Sequence, residues 1–301
     1  MRLDDQRPSD NIEDRRGQDR FPGRGGIGFP MGGGIRFPIG RRGGGLGIGA
    51  VLALLAISLI FGVDPIELIS GSGLAPQQID VPNHPPARPA ASDSDPMRDF
   101  TAKILATTEE TWARIFQENS LAYGPPRLVL FTGVVQSACG TAQSAMGPFY
   151  CSLDRRVYID MSFYGDMDRR LGATGDFARA YVIAHEVGHH VQNLLGIAGE
   201  IAQARSRTSP VESNALSVRM ELQADCLAGV WARDNIRILE QGDIEEGLNA
   251  ASAIGDDRLQ KRAQGYVVPD SFTHGSSQQR VSWFKRGFEV GSMATCNTFD
   301  R

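Results

Sequence analysis

His185-Glu186-Val187-Gly188-His189 constrains this chain more than any other stretch, because two histidines four residues apart can act together only on a helix. Positions i and i+4 of a helix share a face, so both imidazoles can grip one metal ion while Glu186 faces a water molecule beside it. The flanks carry the matching period. Phe177, Ala180, Tyr181, Ile183 and Ala184 precede the pattern, Val191, Leu194 and Leu195 follow it, and Gly196 stops the run. A helix over about 175–195 is predicted. The chemistry it implies is hydrolysis assisted by one zinc ion, with Glu186 as general base. The competing reading makes His185 and His189 hydrogen-bonded core residues and Glu186 a solvated carboxylate.

A site with two histidines needs a third protein ligand, and a catalytic one keeps a further position open. Glu221, in Glu221-Leu222-Gln223-Ala224-Asp225-Cys226, is the best candidate, inside a second helical run predicted over about 211–235. Asp225 lies one turn beyond it on the same face and can accept the free ring N–H of His185 or His189. Taken alone, Glu221 and Asp225 would read as surface acids of an amphipathic helix. His190 is rotated about 100° from His189 and is expected to face solvent or packing. His274 sits in a loop entering a helix, where it can stabilise an oxyanion. It can equally bond the start of that helix, where Ser276 already offers an N-cap.

The rest of the chain divides by composition. Residues 1–45 hold nine arginines and many glycines without sustained periodicity, so they are expected to be a disordered tail. Six acids between Asp4 and Asp19 weaken any reading of that tail as a nucleic-acid or lipid binder. Residues 46–63 form an uncharged apolar run between Arg41-Arg42 and Asp64-Pro65. The run is just long enough to cross a bilayer core, which takes about 17–25 residues. The arginines on its N-terminal side predict a single-pass inner-membrane helix with a cytoplasmic N-terminus and a periplasmic or extracellular domain. The long preceding tail argues against a cleaved signal peptide. Residues 64–95 are rich in proline and alanine and read as a semi-extended spacer containing an inert His84. The folded domain is then 96–301, large enough for a core of its own.

Within that domain, helices are predicted at about 97–119, 243–264 and 277–290 besides the two already named. Short strands are predicted at 128–132 and 157–163. The fold class is α+β, helix-dominated with a small sheet. The 157–163 strand alternates Val157, Ile159 and Met161 against Tyr158, Asp160 and Ser162. It reads as half-buried, or as a strand able to pair with an extended peptide.

The His185 motif with the later Glu221-x-x-Ala224-Asp225 resembles the gluzincin arrangement of zinc peptidases. More closely, the chain resembles a bacterial family of membrane-anchored neutral zinc metallopeptidases. The likeness runs through Asn11-Ile12-Glu13-Asp14-Arg15-Arg16, Cys139-Gly140, Gly147-Pro148-Phe149-Tyr150-Cys151, Val157-Tyr158-Ile159-Asp160, the two metal segments and Thr273-His274-Gly275. It spans nearly the whole chain. The resemblance implies a zinc-dependent, zincin-like hydrolase domain carried on one transmembrane helix, and it names no substrate.

Cys139, Cys151, Cys226 and Cys296 all follow the apolar run, and an even count in a translocated domain suggests two disulfides. Three pairings are open. Cys139–Cys151 with Cys226–Cys296 is favoured, the first closing a small loop and the second tying the C-terminus to the Glu221 helix.

Three function classes follow: a membrane-tethered zinc endopeptidase, a catalytically idle zinc-containing scaffold of the cell envelope, and a nucleic-acid or lipid binder acting through the arginine-rich tail. A structural zinc site has no use for a general base, so Glu186 favours the first. A net charge of −4 speaks against nucleic acid as a partner. The expected partners are a peptide or protein substrate and the membrane.

Overall fold

The computed structural model describes residues 1–17 and 95–299. Strand β1 is Ile12–Asp14 and helix α1 is Pro96–Glu118. Asp95 caps α1 by accepting from the Arg98 amide at 3.0 Å, and Pro96 supplies the preset backbone of the first turn. Strands β2 (Arg127–Phe131), β3 (Val134–Ser137), β4 (Gly140–Gln143), β5 (Phe149–Cys151) and β6 (Arg156–Asp160) follow. Helix α2 (Ser162–Asp166) leads through a wider turn to α3 (Asp176–Leu194), then α4 (Ile197–Arg205), α5 (Pro210–Asp234), α6 (Asp243–Ala253), α7 (Asp256–Gln264) and α8 (Ser277–Val290). This is the expected helix-dominated α+β fold.

Alternation along the strands creates two faces. Leu128 and Leu130 of β2, with Val157 and Ile159 of β6, point into a core built by Ile104, Trp112 and Phe116 of α1, by α3, and by Trp231 of α5. Val129, Phe131 and Tyr158 point the other way and are covered by Val135 and Ala142 of the β3–β4 hairpin. Each fully buried aliphatic or aromatic side chain contributes roughly 1.5–3 kcal/mol by leaving water. The 157–163 strand is therefore buried on both faces, because a hairpin covers the face expected to be wet. It also ends earlier than predicted, since the Asp160 carboxylate accepts from the Ser162 amide at 2.9 Å and starts α2.

The four-stranded sheet runs β1-β2-β6-β5, parallel except for the antiparallel β5–β6 pair. Because β6 has a partner on each side, it cannot take an added strand. The edge next to the candidate site belongs to β5.

Two further expectations need correction. The predicted 243–264 helix is two helices broken at Gly255, where a Cβ would come within 2.3 Å of the Ser277 amide nitrogen. The chain turns there because the start of α8 already fills the space. The tail expected to be disordered over 1–45 is ordered over 1–17. Ile12, Glu13 and Asp14 pair in register with Leu128, Val129 and Leu130, and Ser9 and Asn11 both donate to Glu109 of α1, at 2.6 and 2.7 Å. The Met1 amine lies 2.7 Å from Asp176 and 2.9 Å from Glu240. Residues 1–17 thus belong to the folded domain, which conflicts with placing them across a membrane from it. The apolar run 46–63 and the spacer with His84 lie outside the described residues. Among the described residues no helix is long and apolar enough to cross a membrane.

Both favoured disulfides are present, Cys139–Cys151 joining the hairpin to β5 and Cys226–Cys296 joining α5 to the C-terminal segment.

Candidate functional site

Helix α3 carries His185, Glu186 and His189 on the face turned to a cleft of about 670 Å³. Helix α5 crosses it at Gly188, where a Cβ would lie 3.0 Å from the Ala224 carbonyl oxygen. That close approach carries Glu221, one turn before Ala224, up to the histidines. Glu221 Oε2 is 3.1 Å from His185 Nε2 and Oε1 is 3.5 Å from His189 Nε2. One ligand atom from each of the three residues falls within 4.8 Å of the other two.

The far side of each ring is also engaged. His185 Nδ1 is 3.0 Å from Asp225 Oδ1, and His189 Nδ1 is 2.8 Å from Gln192 Oε1. Both acceptors lack a proton, so each Nδ1 carries an N–H and each Nε2 is the atom left to face the Glu221 carboxylate, across a proton or, once that proton leaves, across a metal ion. Two imidazole nitrogens converging on one carboxylate suit a shared cation, which in the metal-free site is a proton on His185. The donor set, two imidazoles and a carboxylate, suits zinc.

Asp225 is held more tightly than its sequence position suggested. Tyr181 Oη donates to Oδ1 at 2.5 Å, and Arg280 of α8 donates from Nε to Oδ2 at 2.8 Å and from Nη2 to Oδ1 at 2.9 Å. Arg280 is fully buried, so its charge balances an otherwise uncompensated carboxylate in the core. Burial acts against ionisation of Asp225, but Arg280 and His185 hold its pKa below the ordinary carboxylate value.

Glu186 is buried, and among the described residues none donates a hydrogen bond to it. Burial raises its pKa above the usual glutamate value, which suits a group that must both take and give a proton.

His274 lines the same cleft with its side chain 46% exposed. Asp256, the first residue of α7, accepts from the amides of Thr273, His274 and Gly275 at 2.8, 2.6 and 3.0 Å, and its other oxygen lies 3.2 Å from His274 Nδ1. The loop is therefore fastened by one side chain, and the imidazole is aimed with Nε2 bonded to no group among the described residues. His274 does not cap α8; Ser276 and Gln279 do that reciprocally. His190 turns away into packing, between Tyr150 Oη at 2.9 Å and the Gly124 carbonyl at 2.7 Å, and burial lowers its pKa to about 4.

The structure therefore gathers every predicted site residue. It adds Tyr181, Gln192, Asp256 and Arg280, none of which was singled out from the sequence. Gln192, three residues after His189 on one helix, carried a local signal. Arg280 and Asp256 reach the site only through tertiary packing.

The cleft runs along α3. Its lining includes the apolar Phe163, Leu171, Val182, Ile254 and Leu259, and Ala198, Ala202 and Arg205 of α4. Gly147, Pro148 and strand β5 form a wall. A second acidic group, Asp176, Asp243 and Glu246, is already engaged by the Met1 amine and the Phe177 amide.

Comparison with known proteins agrees with this geometry. The family model described as "Putative neutral zinc metallopeptidase" matches residues 1–299. "Uncharacterized protein YpfJ" of Escherichia coli strain K12 is 51% identical over 303 residues, covering 100% of this chain and 99% of that protein. "Uncharacterized protein Rv2575" of Mycobacterium tuberculosis strain H37Rv is 36% identical over 259 residues, covering 80% of this chain and 85% of that protein. No solved structure matches the chain. On the family match over nearly its full length, the chain belongs to the neutral zinc metallopeptidase family.

Proposed function

We propose that the protein is a zinc-dependent peptidase that cleaves an extended peptide laid along the α3 cleft, in an oxidising compartment. One observation carries this reading: a ring nitrogen of His185, one of His189 and a carboxylate oxygen of Glu221 meet within 4.8 Å, beside a Glu186 to which no group among the described residues donates a hydrogen bond. His185, His189 and Glu221 would hold the ion, which when bound supplies Lewis acidity to water and to the substrate carbonyl.

The chain's own residues do the rest. Glu186 takes the proton from the attacking water and passes it to the leaving amine, its raised pKa easing both transfers. Burial opposes charge on His274, but Asp256 and Glu221 raise its pKa, and as the imidazolium it donates Nε2–H to the oxygen on which charge develops while Asp256 keeps the ring aimed. Asp225, braced by Arg280 and Tyr181, fixes the tautomer of His185. Strand β5, at the sheet edge, presents unpaired backbone groups to which an extended substrate can add as a further strand. The two disulfides support an oxidising compartment. The uncharged run 46–63 supports attachment to a membrane.

The idle-scaffold reading leaves Glu186 without a purpose, because a structural zinc site needs no further carboxylate facing the cleft beside its ligands. The test is a peptide-library and casein assay on the purified full-length chain, with and without chelator. Hydrolysis should stop on chelation and return with zinc. Glu186→Gln should keep zinc near the wild-type level and lose hydrolysis, whereas Glu221→Ala should lose zinc. A zinc-loaded wild type that cleaves nothing would reinstate the scaffold, and equal metal loss in Glu186→Gln would remove Glu186 from the role of base.

A further inference from the structure

The two histidines of the site are braced in different ways. Behind His185 stands an ion pair, Asp225 with Arg280; behind His189 stands a chain of neutral amides. Gln192 accepts from His189 Nδ1 at 2.8 Å and donates from Nε2 to the Met220 carbonyl at 2.7 Å and to Gln223 Oε1 at 3.0 Å. Gln223 in turn donates from Nε2 to the carbonyl of Cys296 at 3.0 Å.

The direction of this chain is not free. The carbonyls of Met220 and Cys296 can only accept, so the NH₂ of each glutamine must face them. That leaves Gln192 Oε1 toward His189, which fixes the N–H on Nδ1 and the lone pair on Nε2. Gln192 is fully buried and Gln223 is 6% exposed, so water does not compete for these bonds. The chain ends on Cys296, whose sulfur is bonded to Cys226 of α5, one turn after Gln223. Thr298 adds a second tie, donating to the Arg219 carbonyl at 2.7 Å. The disulfide and the amide relay thus clamp the C-terminal segment onto the same turns of α5 that carry Glu221 and Asp225.

We propose that Gln192 and Gln223 are positioning residues for His189, and that the Cys226–Cys296 disulfide sets zinc retention by holding the carbonyl on which their relay ends. This rests on His189 being a zinc ligand, as in the reading above. Opening the disulfide releases the Cys296 carbonyl, lets the Gln223 amide turn, and loosens the amide that keeps His189 in its ligating tautomer.

Zinc affinity of the full-length protein, measured by competition with a chromophoric chelator, tests this. Loss of such an outer partner typically costs roughly 10–100-fold in metal affinity, and Gln192→Leu should fall in that range. Gln223→Leu should lose less, because the Met220 carbonyl still holds Gln192. The Gln192→Leu/Gln223→Leu double variant should lose no more than Gln192→Leu alone, a non-additivity that general destabilisation does not produce. Cobalt substituted into a Cys139→Ser/Cys151→Ser variant, which keeps Cys226–Cys296 as its one disulfide, should show its ligand-field bands shift on reduction, a readout that leaves both glutamines in place and so stands even if a glutamine variant fails to fold. Wild-type affinity in Gln192→Leu, additive losses in the double variant, or bands unchanged by reduction would overturn the proposal. If the wild type takes up no zinc, the peptidase reading fails with it; if the wild type binds and the relay variants bind equally well, only the relay fails.

Discussion

His185 has a carboxylate at each ring nitrogen, Asp225 Oδ1 at 3.0 Å and Glu221 Oε2 at 3.1 Å. Burial alone would lower its pKa, but Asp225 and then Glu221 outweigh burial and raise it to about 9. At neutral pH the metal-free site therefore keeps a proton where the ion would bind, and binding must expel it. Apparent zinc affinity should climb from neutrality to about pH 9 and level off beyond, with proton release in calorimetry disappearing over the same interval. A flat affinity across that interval would show that His185 is not the protonated group. Much of this site was legible because its parts are local: His185 and His189 four apart, then Glu221 and Asp225 four apart, each on one helix face. Arg280 and Asp256 were not, because an arginine and a helix-start aspartate carry no sign of what they will pack against. Gln192 sits between these cases: its place three residues after His189 is a local signal, but the partners that orient its amide, Met220 and Gln223, lie on another helix.

Helices α5 and α8 bring Asp225 and Arg280 together by touching backbone to backbone. A Cβ on Gly287 would sit 1.9 Å from the Cys226 carbonyl oxygen, and one on Gly229 would sit 2.1 Å from that of Phe284. In an exposed helix Gly→Ala gains roughly 0.5–1 kcal/mol. At Gly287 the sign should reverse, with a net loss of about 1–3 kcal/mol from overpacking. Thermal unfolding of Gly287→Ala should show a lower midpoint, accompanied by weaker zinc retention as Arg280 is pushed from Asp225; a raised midpoint would mean the helices do not meet there. The elements themselves were readable wherever an apolar period ran unbroken to a stop, as in α3, where it runs from Phe177 to Leu195 and ends at Gly196. The ends of β6 and the break at Gly255 were hidden, since both are imposed by neighbours distant in sequence. For the same reason β1 went unseen: three residues with one apolar side chain have no period, and only the exposed edge of β2 gives them a place.

At the scale of the whole molecule, the described parts meet where they are severed in sequence. Arg16 Nη1 lies 2.7 Å from Asp95 Oδ2, and Arg98 Nε lies 3.8 Å from Asp14 Oδ2, so the chain departs from and rejoins the body at one corner. This was beyond sequence reasoning, which divides a chain by composition and cannot see that a tail and a domain 77 residues apart share a sheet. It can be checked with two cysteines, Arg7→Cys and Leu153→Cys, whose native side chain or residue is 54% and 73% exposed. Among the described residues every native cysteine is disulfide-bonded, so the background is silent. A membrane-impermeant maleimide applied to intact cells should label both positions or neither; labelling of one alone would detach β1 from the sheet. The closed corner has a topological consequence: whichever side of a membrane holds residues 95–299 holds residues 1–17 as well.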